Sequence, residues 1–350
     1  MTTSFPLPIS GLPLLILEAG VNHNGDVRVA RELVKLAAES GADFIKFQTY
    51  SASKIAARFS PSYWNLDEEP TTSQYELFQK YDGLTLSDYQ QLVYDSMERG
   101  IGFLTTCFDT DWLNSLHSYL PFFKIASADI TNYLLLLATA AKNKPIILST
   151  GASSFEEISN AVDIIRSKTQ AEICLMHCVL NYPTEFGNSN LGRILELNER
   201  FPNLLVGYSD HTRSEFSHEA IAIAHNFGAM IIEKHFTWDK LQNGNDHYHS
   251  FDVSDVKSLY RKLLLQKEMI SFDEKRFLAI QSDARLYARR GLYAAIDIEK
   301  GQTIGENMIL PLRPTIPGAG YSGNEVFDVI GRIANKRIKI GEPILRHVVT

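Results

Sequence analysis

Cysteine is scarce. The three thiols, Cys107, Cys174 and Cys178, are too few and too irregularly spaced for a disulfide framework, and no C-x-x-C pair marks a structural zinc site, so a reducing compartment fits. Long apolar runs are missing too. No window reaches the length of a membrane span, and the opening Met1-Thr-Thr-Ser-Phe-Pro-Leu-Pro8 lacks a basic stretch followed by an apolar one, so a soluble, cytoplasmic protein with no membrane partner is expected. Nor is there an excess of positive charge: 34 Lys and Arg stand against 41 Asp and Glu, a formal net charge of −7. That balance argues against nucleic acid as the main partner, and an anionic ligand would need a local cluster of basic side chains. The dinucleotide-binding fingerprint is also absent, because Gly20-Val-Asn-His-Asn-Gly25 has the wrong glycine spacing.

What the chain does have is length and a regular alternation. At 350 residues and 45% hydrophobic content it can build one large α/β domain and a smaller module. Eight short β-rich segments are expected at Leu14 to Glu18, Phe44 to Thr49, Gly102 to Cys107, Pro121 to Ala126, Pro145 to Thr150, Ile173 to Val179, Leu204 to Ser209 and Met230 to Phe236. Helical patterns fall between most of them, such as Val27 to Ser40, Leu86 to Arg99, Phe155 to Ser167 and Ser214 to Phe227, with Gly41, Gly100 and Gly228 placed as stops. Eight alternations within about 250 residues predict a (β/α)8 TIM barrel rather than an open doubly wound sheet. Two stretches depart from a minimal barrel. The connection from Tyr50 to Thr85, containing Ser60-Pro-Ser-Tyr-Trp-Asn65, is long and aromatic and reads as a lid or interface loop. After a helix near Val256 to Ile270 and a basic linker at Ala288-Arg-Arg-Gly291, the tail turns β-rich. The expected division is a barrel over 1–280, a linker over 281–290 and a small β-rich domain over 291–350.

Strand alternation decides which side chains can meet. It pairs Lys46 with Gln48, Ser209 with His211, and Glu233 with His235, while Lys234 points away. Glu18, Lys124, Ser127 and Ser149 likewise fall at the C-terminal ends of their strands, where barrel enzymes place their active sites. Two lysines and several hydroxyls suit a phosphate and a carboxylate. Two neutral imidazoles, His211 and His235, suit Mn²⁺ or a similar divalent ion acting as a Lewis acid. Together they imply an anionic phosphoester reacting beside a metal-polarised carbonyl. Each group has a plainer reading: either histidine alone as a structural residue, Glu18 and Glu233 as counter-ions to the lysines, and the serines as helix caps. His177 beside Cys178 reads as a packed core pair; Asp246-His247-Tyr248-His249 looks like a metal cluster, but its polar Gly-Asn setting reads as a solvated loop from which Asp246 alone reaches the site.

The ordered motifs Glu18-Ala-Gly-Val-Asn-His-Asn-Gly25, Lys46-Phe-Gln-Thr49, Phe123-Lys-Ile-Ala-Ser127, Ile147-Leu-Ser-Thr-Gly151, Gly207-Tyr-Ser-Asp-His-Thr212 and Glu233-Lys-His-Phe-Thr237 resemble those of the sialic acid synthase family. The tail resembles the antifreeze-like (SAF) domain that ends these synthases, through Asp297-Ile-Glu-Lys-Gly301 and Leu312-Arg-Pro314. The resemblance implies condensation of phosphoenolpyruvate with an N-acetylated hexosamine, either N-acetylmannosamine or a 2,4-diacetamido-trideoxyhexose. It implies Mn²⁺ or Mg²⁺ on His211 and His235, phosphoenolpyruvate on Lys46, Lys124, Ser127, Ser149 and Ser209, and catalytic roles for Glu18, Gln48 and Glu233. Tyr182, Asp246 and Arg313 would hold the sugar, Arg313 from the other subunit of a domain-swapped homodimer. Thr105-Thr-Cys-Phe108 and Leu180-Asn-Tyr-Pro-Thr184 depart from the commoner family patterns. The competing readings are a phosphoenolpyruvate-condensing barrel acting on a phosphorylated sugar, which needs a second basic cluster, and a non-catalytic carbohydrate-binding protein.

Overall fold

The computed structural model describes residues 3–64, 66, 69–242, 244, 246–315 and 318–350. Asn65 of the long aromatic connection and Asn243 and Asn245 of the loop before Asp246 lie outside the described residues. The chain forms two compact units, Met1–Met269 and Ile270–Thr350.

Eight parallel strands make up the first unit: β1 (Leu14–Gly20), β2 (Phe44–Thr49), β3 (Gly102–Cys107), β4 (Phe123–Ile125), β5 (Ile146–Ser149), β6 (Ile173–His177), β7 (Leu205–Asp210) and β8 (Ala229–His235). They hydrogen-bond in the order β3-β2-β1-β8-β7-β6-β5-β4, and β3 and β4 meet at the seam, so the sheet is a nearly closed (β/α)8 barrel. The strands are almost continuously buried, as expected where helices cover one face and the barrel interior the other. Leu14, Ile16, Leu104, Ile147, Met176 and Ile231 pack in one cluster inside the barrel. Phe5 closes its lower end, with its ring centroid 5.2 Å from that of Phe122. Alternate residues, among them Leu15, Leu17, Ile45, Leu148, Val206 and Ile232, join the larger core between strands and helices.

That alternation positions the site. On five of the strands the inward position above the apolar layer is charged or polar: Glu18 follows Ile16, Lys46 follows Phe44, Lys124 follows Phe122, Ser149 follows Ile147 and Glu233 follows Ile231. Outward residues share a different fate. Lys234 faces away from the interior and meets Asp210 at 2.8 Å, both fully buried. Asp210 also accepts from the Tyr208 hydroxyl (2.7 Å) and the Thr212 hydroxyl (2.9 Å), and Lys234 donates to the Thr212 carbonyl (2.6 Å). Removing one member of such a pair strands the other, so Asp210→Ala is expected to cost about 3–5 kcal/mol of stability. Urea unfolding measures it, and a loss under about 1 kcal/mol, the scale of an exposed ion pair, would contradict the pairing.

The helix Val27–Ser40 starts on the Asp26 side chain, which accepts from the Arg28 amide, and stops at Gly41 in the left-handed region (φ 86°). Gly228, at φ 101°, plays the same part after Ser214–Asn226. Between β2 and β3 the long connection carries two short helices, Ala52–Ile55 and Gln74–Tyr81, and an antiparallel bridge between Pro61 and Ser73. Its centre is the buried Glu69 carboxylate, which accepts from the Thr71 hydroxyl (2.6 Å) and Lys80 (2.9 Å), while the Trp64 indole donates to the Glu69 carbonyl (3.0 Å).

In the second unit the helices Glu274–Ala279 and Ser282–Tyr287 precede β9 (Gly291–Ala294), so a helix occupies most of the expected linker 281–290. β9 pairs antiparallel with β10 (Ile309–Leu312). Leu292, Ala294, Ile298, Ile304, Ile338 and Ile344 belong to its own small core, and Ile298 and Ile338 bridge across it.

Candidate active site

The C-terminal mouth of the barrel holds a buried ionic cluster. Lys46 lies 2.6 Å from Glu18 and 3.6 Å from Glu233, and also donates to the Thr106 hydroxyl at 3.1 Å. Glu233 in turn takes Lys124 at 3.1 Å and the Ser209 hydroxyl at 3.1 Å, and Gln48 donates to Glu18 at 3.0 Å. Two carboxylates therefore neutralise two ammonium groups away from water, an arrangement that is costly unless each charge has its partners. Burial alone would raise Glu233, but Lys124 and Lys46 hold its carboxyl down to about 2. For Glu18 burial wins: its carboxyl is raised despite Lys46, with repulsion from Glu233 adding to the effect. Burial works against charge on Lys46 as well, yet the two carboxylates raise it above the ordinary lysine value. Counter-ion pairing and a substrate-facing position thus coexist in the same side chains.

The serines sit beside this cluster. Ser127 opens a single 3₁₀ turn after β4, and its hydroxyl accepts from the Gly151 amide at 2.9 Å and lies 3.1 Å from the Cys178 sulfur. A Cβ on Gly151 would come within 2.9 Å of that hydroxyl and 2.8 Å of the sulfur, so only glycine keeps this corner open. The buried Ser149 hydroxyl has no hydrogen-bond partner among the described residues. The ionic cluster and the hydroxyls of Ser127, Ser149 and Ser209 line an inner chamber of about 310 Å³.

A second chamber of about 330 Å³ adjoins it, walled by Tyr50, Trp64, Phe78 and Tyr81 and by the polar Asn181 and Asp246. Gln48, Tyr182 and His235 border both. Tyr182 is central: its ring centroid stands 4.3 Å from that of His211 and 6.1 Å from that of His235, and the two imidazoles are 5.5 Å apart.

The donor set at this boundary fits a divalent cation. His211 directs Nδ1 at the Val179 carbonyl (2.7 Å), which assigns the proton to that nitrogen and leaves Nε2 with its lone pair, near the Ser209 hydroxyl. The buried Nδ1 of His235 has no hydrogen-bond partner but lies 3.4 Å from Asp246. Burial lowers His211 to about 4 and His235 well below the usual histidine value, so both imidazoles are held in the neutral form that a metal could bind. Asp246 is pushed up to about 7 by burial and by the Glu18 carboxylate, a load that a bound cation would relieve.

One expectation is corrected. The stretch Asp246-His247-Tyr248-His249 is not a solvated loop: His247 and His249 are fully buried. Phe251 bonds back to the end of β8, its amide donating to the His235 carbonyl (2.8 Å) and its carbonyl accepting from the Thr237 amide (2.9 Å), which ties the loop against the C-terminal end of that strand. His247 bonds the Thr237 hydroxyl at 2.7 Å, and the Tyr248 hydroxyl donates to the Tyr182 carbonyl at 2.9 Å. His249 comes to rest beside His235, ring centroids 4.9 Å apart, and sequence reasoning did not select it. Thr106 was also missed, though its parity with Leu104 was available. His177, by contrast, is a core residue as expected, bonded to the Ser189 carbonyl and stacked on Tyr208. Arg313 lies in the second unit, exposed just beyond β10.

The sequence model of the NeuB family matches residues 33–275, and that of the SAF domain matches residues 289–347. The chain belongs to the NeuB family. N,N′-diacetyllegionaminic acid synthase of Campylobacter jejuni is 37% identical over 338 residues, covering 95% of this NeuB-family chain and 98% of that one. The synthase of the same name from Legionella pneumophila is 33% identical, covering 95% and 93%. Among solved structures, N-acetylneuraminic acid synthetase of Leptospira borgpetersenii in complex with citrate superposes with a TM-score of 0.67 at 29% identity, over 78% of this chain and 93% of that one. Membership of the NeuB family is what the ordered motifs imply, from Glu18 to Thr237.

Proposed function

We propose that the protein is a nonulosonic acid synthase that condenses phosphoenolpyruvate with an N-acetylated hexosamine and water, releasing phosphate. The carrying observation is the pair of adjoining chambers that meet at His235: one holds paired lysines and serines, the other aromatic rings with isolated polar groups. Phosphoenolpyruvate suits the inner chamber, where Lys46, Lys124 and the hydroxyls of Ser127, Ser149 and Ser209 offer charged and neutral donors. The sugar suits the outer one. Among the described residues lining that chamber there is no lysine or arginine, which disfavours a phosphorylated sugar. The names of the two bacterial relatives favour a 2,4-diacetamido-trideoxyhexose, whose second N-acetyl group suits an aromatic wall.

His211 and His235 would hold Mn²⁺ or Mg²⁺, which as a Lewis acid supplies polarisation of the open-chain aldehyde. In the reaction C3 of phosphoenolpyruvate forms a bond to the aldehyde carbon, whose oxygen takes a proton. Water then adds at the electron-poor C2 and loses a proton, and the C2–O bond breaks so that phosphate departs with the bridging oxygen. Glu18, with its raised affinity for a proton, is placed to give one up and take one back, and Gln48 orients it. Glu233 stays ionised, holds both lysines on the phosphoenolpyruvate side, and offers its charge to the cationic carbon. Tyr182 and Asp246 position the sugar.

A homodimer completes the site in this reading, with the SAF unit of a second copy bringing Arg313 to the sugar's N-acetyl group. Arg313→Ala is then expected to raise KM for the sugar by roughly 10- to 100-fold, as loss of a charged hydrogen bond of about 1.5–3 kcal/mol would do, with KM for phosphoenolpyruvate unchanged. Steady-state kinetics with each substrate varied checks this, and an unchanged sugar KM removes Arg313 from the site. The function itself is tested by incubation with phosphoenolpyruvate, Mn²⁺ and a panel of N-acetylated hexosamines. Phosphate release that depends on both sugar and metal is expected, and its absence with every sugar sinks the reading.

A further inference from the structure

The loop that leaves β8 and returns to its C-terminal end carries a group with no task in the chemistry above. His249 is fully buried, and among the described residues neither of its ring nitrogens has a hydrogen-bond partner. Burying an imidazole with both nitrogens unsatisfied costs about 1–3 kcal/mol for each unmet group, so such a residue calls for a partner that is not a protein atom. Its surroundings say which kind. His235, Asp246 and His249 each present a ligand atom, and these three atoms lie within 4.8 Å of one another. Two metal–ligand bonds of about 2.1 Å span about 4.2 Å, so shifts of a few tenths of an ångström bring these three atoms onto one ion, beside the His211 ring 5.5 Å from that of His235. The His249 ring also faces Tyr182, at 5.8 Å, the same ring that His211 and His235 contact.

We infer that His249 is a protein ligand of the ion held at the mouth, so that the shell consists of three imidazoles, His211, His235 and His249, and the Asp246 carboxylate. This deepens the proposed function and rests on its assignment of a divalent ion to His211 and His235. Four protein ligands leave two positions of an octahedral shell for substrate oxygens or water. A nitrogen-rich set of this kind selects Mn²⁺, Fe²⁺ or Co²⁺ over Mg²⁺, whose preference is for oxygen. It also turns the ion from an exchangeable activator into one retained through purification.

The test counts nitrogens directly. With the full-length protein labelled with ¹⁵N at histidine and loaded with Mn²⁺, pulsed electron paramagnetic resonance is expected to show three coupled imidazole nitrogens, and two after His249→Ala. Titration of the apoprotein, followed by the free Mn²⁺ signal, should show Kd rising at least tenfold in that variant and Mg²⁺ competing poorly in the wild type. Two nitrogens in the wild type would overturn the inference without any variant having to fold, and an unchanged Kd in a folded His249→Ala protein would overturn it equally. The two readings fail separately: sugar-dependent phosphate release with a two-nitrogen ion removes His249 from the shell and leaves the condensation standing. Three nitrogens without phosphate release under any condition would do the reverse.

Discussion

Replacing His235 by alanine is expected to reduce turnover on the order of 10³-fold or more, because Lewis-acid polarisation supplies several kcal/mol and each 1.36 kcal/mol is a factor of ten. The residue stands where the two chambers meet, so its loss removes the ligand that would hold the aldehyde over the phosphoenolpyruvate site. The barrel should remain folded. His235 ends β8, its backbone carbonyl and not its ring takes the Phe251 amide, and its buried ring nitrogen makes no hydrogen bond that alanine would break. Circular dichroism and a thermal melt on the same sample as the assay separate the two effects. Metal-stimulated turnover close to wild type in a folded variant would contradict the assignment, while loss of the fold would show the ring to be structural.

Glu233→Gln is expected to be damaging in two ways at once. Its carboxylate lies 3.1 Å from Lys124, 3.6 Å from Lys46 and 3.1 Å from the Ser209 hydroxyl, so an amide there leaves two buried ammonium groups with Glu18 as their only counter-ion in the cluster. Breaking such a network costs about 3–5 kcal/mol. Activity should fall by about 10²- to 10⁴-fold, the range for a lost catalytic carboxylate or electrostatic stabiliser. The pH dependence has a definite sign. With its native pKa depressed from 4.5 to about 2, Glu233 contributes stability that is fully present above its unfolded value and is lost as pH falls through the folded one. Wild type should therefore weaken between about pH 4.5 and pH 2 in part through this group, and that portion of the acid loss should be missing from the variant. Urea unfolding at a series of pH values measures it, and identical acid slopes for the two proteins would show that Glu233 is not held ionised by the lysines.

How much of this was legible in the sequence depended on whether the deciding contact was local. The parity of Lys46 with Gln48 and of Glu233 with His235 follows from strand alternation, and so does the exile of Lys234 to its partner Asp210, because an apolar residue two positions earlier already sets which face is inward. The helix Val27–Ser40 falls where its pattern places it, since the Asp26 cap and the Gly41 stop are both adjacent to it in sequence. Strand ends were less accessible: Pro121 to Ala126 was expected and Phe123–Ile125 is found, because pairing with β5 sets the limits. The burial of His247 and His249 was out of reach, for it depends on Phe251 docking beside Phe236, and nothing in a Gly-Asn-rich stretch announces that return. Likewise the Glu69 hub between β2 and β3 anchors the short helix Gln74–Tyr81, which is too weak to be read from periodicity alone.

The central claim is that these chambers join phosphoenolpyruvate to an aldehyde sugar with cleavage of the C2–O bond. Phosphoenolpyruvate carrying ¹⁸O at its bridging position, incubated with the protein, Mn²⁺ and a 2,4-diacetamido-trideoxyhexose, tests it by mass spectrometry of both products. The account predicts one labelled phosphate for each nine-carbon sugar acid, the acid itself unlabelled; label retained in the sugar acid, or no acid formed at all, would contradict it.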